Sequence, residues 1–133
     1  MKRVIVLEDM EHRVQWLQQV LRRSKAKIVW KKDVESFIKA SKKPHDMAIF
    51  DHDLGILPTG GYTTPLPLNG ADAARLYDPE VKVPVLIWSV NPEGGKRIEQ
   101  ILLEKGIPAG LVPFFDENLY NLARMLRELF ETD

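Results

Sequence analysis

Residues 46–53 read DMAIFDHD: four consecutive apolar positions, opened by one aspartate and closed by Asp51, His52 and Asp53. A short run that is apolar on both faces is what a strand needs when helices cover both sides of a sheet. The same form recurs on either side of it, at residues 4–7 (VIVL), 28–30 (IVW), 85–88 (VLIW) and 111–112 (LV). Longer stretches of helical spacing separate these five runs. Val14, Leu17 and Leu21 share one helical face, as do Ile98, Ile101 and Leu102, and as do Leu119, Leu122, Ala123, Leu126, Leu129 and Phe130. Asp33 and Asp116 stand where helix N-caps belong, and Gly106 follows Lys105 as a helix stop would. Alternating strands and helices of this kind predict an α/β domain with a five-stranded parallel sheet between two helical layers.

The composition narrows the chemistry. The chain has 133 residues, enough for a single domain spanning 1–133, and no cysteine, so disulfides, thiolate ligands and a Cys nucleophile are excluded. Carboxylates, hydroxyls and three histidines remain, an oxygen and nitrogen set. No apolar run is long enough to cross a bilayer, and the start MKRVIVLEDM turns acidic too soon for a secretory leader; the expectation is a cytoplasmic protein without a membrane partner. Lys+Arg and Asp+Glu balance at 19 each, but unevenly. Residues 22–43 carry nine bases (Arg22, Arg23, Lys25, Lys27, Lys31, Lys32, Lys39, Lys42 and Lys43) against Asp33 and Glu35. That segment is either a solvated face or a basic edge for nucleic acid.

The acids fall at strand ends. Glu8 and Asp9 follow the first strand, Asp51 and Asp53 the third, and Ser89 and Asn91 the fourth. Parallel strands leave their carboxyl ends on one side, about 5 Å apart, so these groups are expected to converge. Clustered carboxylates either keep protons at raised pKa or hold a hard cation, and Mg²⁺ or Mn²⁺ with a phosphate oxygen suits such a crevice. In this reading Glu8, Asp9 and Asp51 hold the metal and Asp53 is the base. Ser89 and Asn91 orient the phosphate, helped by a helix starting near Pro92. The plainer alternatives are that Glu8 and Asp9 cap the first helix and that Asp51 and Asp53 are turn residues. Strand alternation turns His52 away from the face that Asp51 and Asp53 share; His12 and His45 are expected in solvent, and Trp16, Trp30 and Trp88 in or beside the core. The segment 55–70, with four glycines and three prolines, is a long βα loop expected over the site.

These residues resemble the receiver domain of response regulators: an acidic pair after strand one (Glu8-Asp9), an aspartate after strand three (Asp51) and a hydroxyl after strand four (Ser89). The resemblance covers nearly the whole chain. It implies the flavodoxin-like strand order 2-1-3-4-5, Mg²⁺ at Glu8 and Asp9, and phosphorylation of Asp51 with Ser89 at the phosphoryl group. Receivers also carry a lysine near the end of strand five, before Pro-Phe. Here LVPF at 111–114 keeps the Pro-Phe and has Val112 in the lysine's place.

The runs DHDLG (51–55) and WSVNPEG (88–94) are similar to receiver-like domains described as cyclic-phosphate processing, which also tend to have an arginine near Arg13. That resemblance implies a metal-dependent phosphoesterase acting on a cyclic nucleotide or RNA end, with Arg13, Ser89 and Asn91 at the phosphate and Asp51 and Asp53 catalytic. Trp88 stands where that group commonly has histidine. The alternatives are a signalling module modified at Asp51, acting through a protein partner, and a non-enzymatic binder of a phosphate-bearing small molecule or RNA.

Overall fold

Alternation within each strand divides the core into two halves. The computed structural model describes residues 2–22, 26–55, 61, 67–113, 124 and 126–128. Its strands are β1 (Arg3–Leu7), β2 (Lys27–Lys31), β3 (Met47–Phe50), β4 (Val85–Ser89) and β5 (Ala109–Pro113), and its helices α1 (Glu11–Val20), α2 (Val34–Ser41), α3 (Gly70–Leu76) and α4 (Pro92–Glu104). The strands form one sheet in the order β2-β1-β3-β4-β5, every neighbouring pair parallel. Ile5, Leu7, Ala48, Phe50, Val85 and Ile87 pack with Val34, Phe37, Ala73, Ala74, Ile98 and Leu102 of α2, α3 and α4. Val4, Val6, Met47, Ile49, Leu86 and Trp88 point the other way, onto Leu17, Val20 and Leu21 at α1. Each side chain of this size taken out of water contributes about 1.5–3 kcal/mol, and both faces of β3 and β4 are buried throughout.

The expected strands and helices hold with small shifts at element ends, whereas His45, expected in solvent, is half-buried, its ring nitrogens 2.8 Å from the Lys43 carbonyl oxygen and 2.7 Å from the buried Tyr77 hydroxyl. β5 is longer than the pair 111–112, and Ser89 is the last residue of β4 instead of the first beyond it. Asp33 caps α2, its carboxylate accepting from Ser36 N at 2.8 Å. Gly106 closes α4 at φ 77°, a left-handed conformation that glycine adopts without strain. Residues 124 and 126–128 are helical, and Leu126 enters the α1-side core. The Asp116 cap, the remainder of that last helical face, most of the 55–70 loop, Phe114, and Arg23 and Lys25 lie outside the described residues. Among the described residues, no helix is long and apolar enough to cross a membrane.

Candidate functional site

The alternation that builds the core also builds the site. Carried one step beyond their strands, even-numbered Glu8 of β1 and odd-numbered Asp51 of β3 turn toward α1. One carboxylate oxygen from each of Glu8, Asp9 and Asp51 lies within 4.8 Å of the others. Three of the four acids expected at the strand ends therefore converge. Neither Glu8 nor Asp9 serves as the α1 cap: that position is Met10, with no side-chain hydrogen bond. Instead Glu8 Oε2 accepts from Asp9 N and Met10 N at 3.1 and 3.3 Å, and Asp9 Oδ2 accepts from Gly55 N at 2.9 Å.

Part of the countercharge comes from inside the protein. Arg13 continues the buried stripe of α1, beside Val14, Leu17 and Val20, and is 2 % exposed. Its Nε lies 2.9 Å from Glu8 Oε1 and its Nη1 3.7 Å from Asp51 Oδ1. Its Nη2 donates to the Trp88 carbonyl, and the guanidinium stacks over the Trp88 ring, 4.1 Å from the centroid. Trp88 in turn packs on Trp16, with centroids 5.3 Å apart, so it is a core residue. Arg13, expected at the phosphate, lies buried between Glu8, Asp51 and the Trp88 carbonyl. Burial, followed by the Asp51 charge, pushes the Glu8 carboxyl up to about 9 despite Arg13. Burial likewise raises Asp51 to about 6, with Arg13 opposing. Closely packed carboxyls that retain a proton in the absence of a cation form a donor set suited to a hard divalent ion.

The remaining polar residues form a second network on the α4 side of β3. Asp53 Oδ1 pairs with His52 Nδ1 at 2.7 Å and accepts from Asn91 Nδ2 at 3.2 Å. The expectation that His52 points away from Asp53 is corrected: the loop after β3 leaves the strand conformation, and alternation no longer applies. Asn91 caps α4 by accepting from Gly94 N at 3.0 Å, so both ends of its amide are engaged within the protein. Ser89 Oγ accepts from Asn91 N at 3.1 Å. The two networks meet at Asp51 Oδ1, which accepts from His52 N at 2.9 Å.

Two glycines make this packing possible, and the sequence reading passed over both. A Cβ on Gly70 would stand 2.1 Å from the Asp51 carbonyl oxygen, and one on Gly94 would stand 2.4 Å from the His52 ring. The start of α3 can therefore approach the turn after Asp51, where Gly70 N donates to His52 O at 2.9 Å. The sequence did carry a signal, Asn-Gly and Gly-Gly at helix starts, but it does not say which neighbour comes close.

No protein-family model matches the chain, and no curated protein matches it. Solved structures do. The phosphorylated cyanobacterial phytochrome response regulator RcpA is 14% identical with a TM-score of 0.70, covering 98% of this chain and 94% of its own. The Mn²⁺-bound form of response regulator Rcp1 is 13% identical with a TM-score of 0.68, covering 100% and 97%. The receiver domain of sensor histidine kinase PA1611 from Pseudomonas aeruginosa PAO1, with magnesium in its active-site cleft, is 18% identical with a TM-score of 0.63, covering 98% of each chain. At these identities the likeness establishes the fold: a receiver-type, flavodoxin-like α/β sandwich.

Proposed function

We propose that the chain is a phosphoryl-accepting module in which Glu8, Asp9 and Asp51 hold a divalent cation and Asp51 takes the phosphoryl group. The observation that carries the reading is the convergence of those three carboxylates at the carboxyl edge of the sheet. The structural neighbours, which include a phosphorylated regulator and forms holding Mn²⁺ and Mg²⁺, support the same use here. When bound, the cation offsets the negative charge of the phosphoryl oxygens. An Asp51 carboxylate oxygen attacks phosphorus, and the bond from phosphorus to the donor's leaving atom breaks, its electron pair going to the leaving group. Ser89 Oγ–H donates to a phosphoryl oxygen. Val112 replaces the lysine of receivers, so Arg13, within 3.7 Å of Asp51, supplies the positive charge from α1.

Intact mass after acetyl phosphate and Mg²⁺ is the test. One phosphoryl adduct is expected, absent in Asp51→Asn; no adduct in the unaltered chain ends the reading.

A second reading is hydrolysis of a cyclic phosphodiester, either a cyclic nucleotide or an RNA 2′,3′-cyclic end. It is favoured by the Asp53–His52–Asn91 network beside the acidic cluster, with Asp53 as the base toward water. Turnover of 2′,3′- or 3′,5′-cyclic nucleotides with Mg²⁺ or Mn²⁺, lost in both Asp51→Asn and Asp53→Asn, supports it. Absence of turnover with either metal removes it.

A further inference from the structure

On the α2 side of the sheet, a groove of about 500 Å³ runs between β2 and α2, lined by Arg3, Ile5, Lys27, Val29, Lys31, Ser36, Lys39, Ala40 and Lys43. Its floor is aliphatic, from Ile5, Val29 and Ala40, and its walls carry five cations. Three elements supply them: Arg3 from β1, Lys27 and Lys31 from β2, and Lys39 and Lys43 from α2 and the turn after it. No acid is among the lining residues, and among the described residues none of the five cationic side chains has an ion pair. Asp46, whose carboxylate accepts from Arg3 N at 2.7 Å, and Asp33, which feels the Lys31 charge, offset part of this field; in a chain of zero net charge, the excess of cations around one groove calls for an anionic occupant.

The backbone beside the groove is also open. β2 is the terminal strand of the sheet. Lys27 N donates to Lys2 O, and Lys31 O accepts from Glu8 N, so the odd residues of β2 spend their main-chain groups on β1. By strand alternation Ile28 and Trp30 direct N–H and C=O outward, where no described strand pairs with them. Burial agrees: β2 is exposed at Lys27 and half-buried at its other four residues.

We propose that this edge binds an acidic, extended peptide segment of a protein partner, added as a sixth strand with carboxylates opposite Lys27 and Lys31 and an apolar residue opposite Val29. Main-chain bonds to Ile28 and Trp30 give such a strand its hold, and the cross-strand pairs give it selectivity. Single-stranded nucleic acid fits the groove less well, because no aromatic ring lines it for bases to stack on. Lysines on an edge strand also deter self-pairing, but that role needs only Lys27 and Lys31 and leaves Arg3, Lys39 and Lys43 unexplained.

The experiment uses the acetylated, amidated peptide Thr-Glu-Thr-Val-Thr-Glu-Thr, fluorescently labelled, with the whole chain at low salt. Binding by anisotropy that weakens with salt is expected, with protection of the Ile28 and Trp30 amides from hydrogen exchange. The double variant Lys27→Glu with Lys31→Glu should bind roughly tenfold more weakly and regain affinity for the same peptide carrying Lys in place of Glu. Circular dichroism confirms that the variant folds, and Lys39→Ala with Lys43→Ala provides a second, milder reduction. No binding of the peptide, binding without amide protection, or tighter binding of a single-stranded RNA decamer than of the peptide each overturns the proposal. An edge that serves only to prevent self-association would give the first of these results.

Discussion

Removing the Arg13 guanidinium strips the acidic pocket of its internal cation while leaving the carboxyls buried. Arg13→Met keeps much of the side-chain volume against Trp88 and loses the pair with Glu8, the approach to Asp51 and the bond to the Trp88 carbonyl. Breaking a buried ion pair from one side typically costs 3–5 kcal/mol; with Glu8 already inclined to hold a proton, about 3 kcal/mol by urea denaturation at neutral pH is expected. Because Arg13 lowers both carboxyls, Glu8 and Asp51 should titrate higher still in the variant, which carbonyl ¹³C shifts followed against pH would report. A variant as stable as the parent would mean the guanidinium is not a structural cation. Gly70 gives a steric counterpart. Gly70→Ala drives a methyl into the Asp51 main chain, where no flexible side chain can yield, so α3 or the Asp51 turn must move. The expected loss is about 2–3 kcal/mol, with weaker Mg²⁺ binding because Asp51 shifts with its backbone. Unchanged affinity would separate the turn from the site.

At the scale of the element, helix ends do more than the helices' own sequences. The α3 C-terminus is closed by Lys105, whose ammonium donates to the carbonyls of Ala74, Arg75 and Tyr77. These are carbonyls that a helix C-terminus leaves without partners, at the negative end of its dipole. Lys105→Met should therefore cost about 2 kcal/mol by thermal or urea unfolding, and an effect under a few tenths would show that water replaces the ammonium. At the N-terminus of α2, Asp33→Ala should cost about 1 kcal/mol. Hydrogen bonds from Ser36 hold the Asp33 carboxyl below its usual range, so this contribution is present above the unfolded value of 3.8 and is lost on acidification through the lower folded one. Both caps bear on what a sequence shows. Asp33 was legible because a cap lies next to what it caps, whereas Lys105 reaches back about 30 residues. Arg13 lies between these cases: its spacing to Leu17 and Val20 places it on the buried stripe of α1, but an arginine on a buried stripe does not name its partner. The strands were legible as continuous apolar runs, and their parity, carried past Leu7 and Phe50, already contained the meeting of Glu8 and Asp51. The Asp53–His52 pair was not, because it forms after the strand has ended.

Across the whole molecule charge is unevenly placed, with an acidic cluster at the carboxyl edge of β1 and β3 and a basic groove along β2 and α2, and the acidic cluster makes stability depend on pH. In the unfolded chain Glu8 and Asp51 ionise near 4.5 and 3.8; in the folded chain burial raises them to about 9 and about 6. Between those limits the folded state holds protons that the unfolded state has released, so stability must fall as pH rises. The decline should run from about pH 4 to 6 for Asp51 and continue toward about 9 for Glu8. On the proposed function a divalent cation should reverse the trend, because it would bind the ionised carboxylates and displace their protons. Little Mg²⁺ stabilisation is expected at pH 5, and its effect should grow through pH 8, reaching about 2.7 kcal/mol when Mg²⁺ is at 100 times its Kd, or roughly 9 °C in Tm. Differential scanning calorimetry with EDTA or Mg²⁺ at each pH measures both slopes. Asp51→Asn, which removes one ligand charge and one raised carboxyl, should flatten the metal-free decline and the Mg²⁺ response together. If only the Mg²⁺ response vanished, the pH dependence would arise elsewhere in the chain; if only the decline flattened, Asp51 would be a buried acid outside the metal site.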